Sequence, residues 1–294
     1  ALARTQLHEP SLIDLDLSLN KISSKGAIAI AEMLSKNQLL ETFRLSFNQI
    51  GDEGAIAIAN ALKTNSTLKI LDLTKNNIGN EGAKAIAEAL MTNSTLKEFD
   101  LCDTNIGDEG AIAIANALMT NSTLKKLYLH DYGIRAVGIA ALARTQLHKP
   151  SLIGLDLSSN QISSKGAIAI AEMLSKNQLL ETFRLCLYQI GDEGAIAIAN
   201  ALMTNSTLKK LDLEGNYIGD EGAKAIAEAL MTNSTLKELH LYESNIGDEG
   251  AIAIANALMT NSTLKKLHLH TYGIRAVGAA ALADMLYYNT ELEV

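Results

Sequence analysis

Apolar and polar residues along the chain follow a frame of 28 positions that restarts at Ser11, Leu39, Thr67, Thr95, Thr123, Ser151, Leu179, Thr207, Thr235 and Thr263. Apolar residues recur at frame positions 2, 5, 7 and 12, as in the segment 67–94, TLKILDLTKNNIGNEGAKAIAEALMTNS. Leu71 and Leu73 alternate with Ile70, Asp72 and Thr74, the period of a strand with one face in and one face out. Gly82, Ala83, Ile86, Ala87 and Leu90 follow at helical spacing and predict a helix whose single apolar stripe packs on that strand. Small Gly and Ala residues on the stripe allow a close approach. Asp52, Asp108, Asp192 and Asp248 stand where helix N-caps are expected, and Asn-Ser or Lys-Pro closes each helix.

A strand, a helix and the next strand, repeated ten times, predict a parallel sheet on one wall and parallel helices on the other. Strands stack ~4.8 Å apart and helices 8–10 Å apart, so the two layers should bend by roughly 20–30° per repeat into a horseshoe with the sheet on its concave face. The frame is continuous across residues 140 and 141, which predicts one domain over 1–294 with ten strands, ten helices and no hinge. Written as a motif, the strand half is L-x-x-L-x-L-x-x-N-x-I, which is similar to the leucine-rich repeat. The helical half, G-A-x-A-I-A-x-A-L, resembles the ribonuclease-inhibitor subtype, as in the sensor domains of NOD-like receptors and repeat proteins of bacterial effectors. The resemblance implies an α/β leucine-rich repeat solenoid that binds another protein through its concave face. It also implies that Asn20, Asn48, Asn76, Asn160 and Asn216, at frame position 10, form a buried amide ladder, with Thr104 and Ser244 doing part of that work. Tyr132, Tyr188 and Tyr272 at the same position cannot, so their turns should be locally distorted.

A longer period lies over the short one. Residues 1–140 align with 141–280 without a gap and differ at 21 positions. Frame positions 4, 6, 8 and 9, which face the concave side, hold 12 of those differences where an even spread would give about three. Exposed helix positions are equally free of packing constraints and barely differ, which favours a recognition surface over drift. The chain carries 25 basic and 33 acidic residues, a formal net charge of −8. Most of it sits at the four concave positions, with 12 acidic against 6 basic residues, so a basic partner is expected and phosphate-led nucleic-acid binding is disfavoured. No apolar run approaches a membrane span. Two cysteines and no C-x-x-C pair point to a reducing, cytoplasmic setting and away from the usual zinc and thioredoxin motifs. The N-S-T triplets, formal glycosylation sequons, read as helix-stop turns.

The candidate protein-binding residues are the row at frame position 6, Asp16, Arg44, Asp72, Asp100 and Tyr128, then Asp156, Arg184, Asp212, His240 and His268, together with Phe47 and Tyr242. Tyrosine is the residue type enriched in interface hot spots. Arg between two Asp residues reads first as cross-strand neutralisation. Leu19, Phe47 and Ile70 are candidates for an exposed apolar patch. His240, His268 and His270 lie on adjacent strands, but the sequence places no carboxylate to orient all three, and no metal or cofactor is expected. Cys102 and His130 lack the third group a nucleophilic dyad needs. A catalytic accessory resembling Ran GTPase-activating proteins is the alternative function. An engineered repeat scaffold without a natural ligand is another, suggested by the near-perfect duplication and opposed by the tyrosines at position 10. Neither end carries a polar cap, which predicts a fragment of a longer array with possible end-to-end self-association.

Overall fold

The computed structural model describes residues 12–131, 133–162, 164–187 and 189–292, with the backbone alone at 164 and 165. The expectations for the leading half-repeat, Tyr132 and Tyr188 lie outside the described residues. The chain divides into two compact units, Ala1–Thr145 and Gln146–Val294.

The first unit alternates β1 (Asp14–Asp16), α1 (Ser24–Lys36), β2 (Thr42–Arg44), α2 (Gly51–Leu62), β3 (Ile70–Asp72), α3 (Asn80–Thr92), β4 (Glu98–Asp100), α4 (Asp108–Leu118), β5 (Lys126–Tyr128) and α5 (Ala136–His148), whose last turn contains the division. Its strands pair in parallel with the repeat frame in register, Asp14 beside Thr42, Thr42 beside Ile70, Ile70 beside Glu98 and Glu98 beside Lys126. The second unit repeats the order with β6 (Gly154–Asp156), α6 (Ser164–Lys176), β7 (Thr182–Arg184), α7 (Gly191–Leu202), β8 (Lys210–Asp212), α8 (Asp220–Thr232), β9 (Glu238–His240), β10 (Ser244–Gly247), α9 (Asp248–Leu258), β11 (Lys266–His268), β12 (Thr271–Gly273) and α10 (Ala276–Tyr288). Strands β6 to β9 and β11 pair in parallel in the same register. This is an α/β solenoid of strand–helix repeats.

The frame positions named by the hydrophobic pattern are the core. Leu68, Leu71, Leu73 and Ile78 are fully buried, as are Ala83, Ile86 and Leu90 on the helix that follows. Gly82 shows how close that helix lies. A Cβ there would stand 2.6 Å from Ile78 Cγ2 and 2.7 Å from Asp52 Oδ1, so any side chain would push the layers apart.

The predicted N-caps need correction. Asp52 does not cap its own helix; its Oδ1 accepts hydrogen bonds from Gly79 N (2.7 Å) and Gly82 N (2.9 Å), at the start of the next one. Asp192 serves Gly219 and Gly222 in the same way, and Asp108 and Asp248 each serve the following helix. The orphan amides of each N-terminus are therefore satisfied across the repeat boundary, which ties neighbours together as well as ending the helix.

The position-10 ladder is present and buried at Asn48, Asn76, Asn160 and Asn216, but Asn20, at the start of the described residues, is exposed. Asn76 Nδ2 donates to Leu45 O, Leu73 O and Thr74 O, and Asn216 repeats the arrangement. A second ladder, which the sequence disclosed only as helix-stop triplets, runs along the other edge. Asn65 Nδ2 donates to Leu34 O and Asn37 O, while its Oδ1 accepts from Thr67 N and Leu68 N. Asn93, Asn121, Asn205, Asn233 and Asn261 do the same and are buried, so the triplets are structural turns. At Tyr272 the expected distortion occurs, since β12 leaves the frame and pairs with β10. The last repeat is also more open. Leu267, Leu269, Ile274 and Leu282 are half-buried where Leu239, Leu241, Ile246 and Ile254 one repeat earlier are fully buried.

Candidate functional site

The third residue of each main strand forms a row on the sheet face away from the helices. In the first unit Asp16 stands beside Arg44, Arg44 beside Asp72, Asp72 beside Asp100 and Asp100 beside Tyr128. In the second, Asp156, Arg184, Asp212, His240 and His268 follow in the same register. Every one of the predicted position-6 residues is thus brought onto one face within its unit.

The acids in this row have a local task that the sequence reading missed. One Oδ1 of Asp16, Asp72, Asp100, Asp156 and Asp212 accepts a hydrogen bond from the backbone N–H two residues on, at Ser18, Thr74, Cys102, Ser158 and Glu214. This closes the turn out of the strand. The recurring signal was an Asp two residues before a turn. The Asp16 carboxyl is held below its ordinary value by its bonds to Ser18. Asp100 is pushed above it by burial, against the bonds from Cys102 and Thr74.

The two arginines differ. Arg44 reaches Asp14 on the edge strand at 2.8 Å, with both side chains about half exposed. Gly154 stands where the second unit would need that acid, and Arg184 lies between Asp156 and Asp212 instead, 3.6 Å from each. Cross-strand neutralisation by the position-6 row therefore holds for Arg184, while Arg44 turns to frame position 4. Glu98 pairs with Lys126 (3.1 Å), and Glu238 pairs with Lys210 (2.6 Å).

At frame position 9 the chain takes the left-handed conformation at Leu19, Phe47, Lys75, Asp103, Ser159, Leu187, Gly215 and Glu243, with φ between 48° and 68°. Such a conformation costs a non-glycine residue ~1–2 kcal/mol. It is held by a bond from each of these N–H groups to the carbonyl at position 8 of the next repeat, such as Phe47 N to Thr74 O at 2.8 Å. Leu19 is 77% and Phe47 46% exposed, with Lys75 Nζ 4.8 Å above the Phe47 ring, whereas Ile70 is half-buried. The apolar patch consists of the two turn residues. In the second unit a groove of about 390 Å³ is lined by Leu187, Gly215, Tyr217, Glu243 and Tyr272 at this same level.

Two carboxylates orient His240. His240 Nε2 is 2.7 Å from Glu238 Oε1 and its Nδ1 is 3.3 Å from the buried Asp212 Oδ2. Tyr242 Oη is 2.6 Å from His268 Nδ1, and the rings of His240 and His268 are 4.3 Å apart. Both cysteines are free thiols, and burial together with the charge of Asp212 pushes the Cys186 thiol well up.

A repeating strand, buried-asparagine turn and helix define a leucine-rich repeat solenoid, and the family models agree. The Leucine Rich repeat model matches residues 8–31, 36–59, 64–87 and 92–115, and the TMOD/LMOD Leucine-rich domain matches 146–245. The chain is a leucine-rich repeat protein. Among solved structures it is similar to "Leiomodin-1 Actin-Binding Site 2 (ABS2)", at 26% identity and a TM-score of 0.42, over 52% of this chain and 88% of that one. No curated protein sequence matches significantly. Among the described residues no helix is long and apolar enough to cross a membrane.

Proposed function

We propose that this chain is a non-catalytic module that binds a protein partner bearing a basic patch through its strand face. The observation that carries the reading is the distribution of differences between the two copies. The helices are almost unchanged, while 12 of 21 differences fall at the four frame positions on the strand face and its exit turn. Two further features support it. Side chains at position 9 are displayed on left-handed backbone where glycine would be less strained, a cost more easily understood if the displayed groups do work. The strand-face positions carry seven acidic and three basic residues in the first copy and five and three in the second, a field that steers a cationic partner. The ribonuclease-inhibitor-like form of the repeat is supported by helices of 11 to 13 residues. A cytoplasmic setting is supported by the two free thiols.

The test uses a partner recovered from native lysate, purified and titrated against the chain. Asp72→Asn with Asp100→Asn keeps the oxygens that close the turns but removes two charges. It should slow association and flatten its salt dependence. Lys84→Glu, on helix α3, should leave both unchanged. Equal effects from the two variants would place the interface elsewhere.

A further inference from the structure

The second unit carries a constellation that its copy lacks. One donor atom each from Glu238, His240 and His268 lies within 4.8 Å of the others, on the strand face and half-buried. His240 Nε2 already meets Glu238 Oε1 at 2.7 Å. The Nδ1 atoms of both rings meet outer partners, His240 Nδ1 the Asp212 carboxylate (3.3 Å) and His268 Nδ1 the Tyr242 Oη (2.6 Å). An imidazole whose Nδ1–H is held by an oxygen acceptor presents Nε2 as a ligand in a fixed orientation, the outer arrangement found around metal-bound histidines.

We propose that Glu238, His240 and His268 form a zinc site on the strand face, with Asp212 and Tyr242 as its outer partners. Two imidazoles and a carboxylate are a donor set that suits Zn²⁺, which sits ~2.0–2.2 Å from nitrogen and oxygen ligands and so wants donors about 3.4 Å apart. The 2.7 Å pair opens slightly and His268 closes by side-chain rotation. Three protein ligands leave a fourth position of the tetrahedron toward solvent, for water or for a side chain of a bound partner. Lys210 Nζ, 2.6 Å from Glu238 Oε1, competes with the ion and must swing away.

The duplication supplies an internal control. The equivalent residues of the first copy are Glu98, Asp100 and Tyr128, with Asp72 and Cys102 as counterparts of Asp212 and Tyr242 and Ile70 as counterpart of Lys210. Glu98 and Asp72 match their counterparts, but both imidazoles and the phenol are missing. Three of the differences between the copies therefore assemble the site, on a backbone shared by both.

Zinc titration of the intact chain followed by calorimetry, with thermal unfolding in parallel, tests the assignment. The expected result is one tight equivalent per chain and a rise in the unfolding midpoint. His268→Tyr, which introduces the residue its counterpart strand already accommodates, should weaken binding at least tenfold and abolish the midpoint rise while the far-ultraviolet circular dichroism is unchanged. Tyr242→Phe should weaken it about tenfold, Lys210→Met should strengthen it, and His270→Ala should leave it unaltered. The proposal is overturned if the chain binds no zinc more tightly than His268→Tyr does. It is equally overturned if binding survives His268→Tyr and is lost on Cys186→Ser, which would move the ion to Cys186, Asp212 and Glu214, whose donor atoms also lie within 4.8 Å of one another. Because the readout is metal binding alone, its failure leaves the protein-binding reading standing.

Discussion

The strand faces of the two units can be compared residue for residue, because 119 of 140 paired positions are identical and the backbone register is the same. In the first unit Arg44 is drawn to Asp14, and Asp72 stands half-buried beside Asp100, whose burial raises its carboxyl above the usual range. In the second the loss of the edge acid at Gly154 leaves Arg184 between Asp156 and Asp212, and His240 closes over Asp212, which becomes buried. A run of carboxylates has become an arginine-bridged pair beside a histidine–tyrosine cluster. The lesson is that the ladders and core specify the backbone so fully that face chemistry can be exchanged without altering it.

If that is right, scaffold substitutions at matched positions should cost the same in both units. Leu71→Ala and Leu211→Ala each remove a fully buried side chain and should each destabilise by ~2–5 kcal/mol, within the range for such truncations. Denaturant unfolding that separates the two by more than ~1 kcal/mol would break the equivalence. Face substitutions should differ instead. Arg184→Met strips the neighbour from two buried carboxylates and should cost ~1–3 kcal/mol, whereas Arg44→Met opens an exposed pair and should cost under ~1 kcal/mol. The cross-repeat caps return to equality. Asp52→Ala and Asp192→Ala should each cost ~1 kcal/mol, and amide exchange should quicken at Gly82 and Gly222, in the helix after the substitution. Faster exchange confined to the substituted helix would contradict the capping geometry.

The smallest effect is expected from Asp100→Asn. A carboxyl whose folded value is raised binds its proton more tightly in the folded state, so the stability it confers is present at low pH and is lost as pH rises through the folded value. Asn keeps the oxygen that accepts from Cys102 and Thr74 and removes the charge. The variant should therefore be slightly more stable at neutral pH and flatter in its dependence from the ordinary carboxylate value upward, by thermal unfolding across that window. The second unit has no matching response to give, because His240 occupies the place.

The sequence by itself determined the 28-residue frame, the alternating strand and helix, and the buried set at positions 2, 5, 7 and 12, while the position-10 ladder was implied by the resemblance of the motif. The frame and the buried set are local periods, so Leu71 can be assigned without knowing its neighbours. Tertiary structure decided what depends on residues 26 to 31 apart. Asp52 looks like a cap for its own helix until the next repeat is in place, and Asn65 looks like a loop residue until Leu34 and Asn37 present their carbonyls. The orientation of His240 by Glu238 and Asp212 is of the same kind, since three side chains on two strands converge only once the register is set. Hydrophobic periodicity is written along the chain, but a buried polar group is satisfied across it, and the partner it finds is fixed by how one repeat lies against the next.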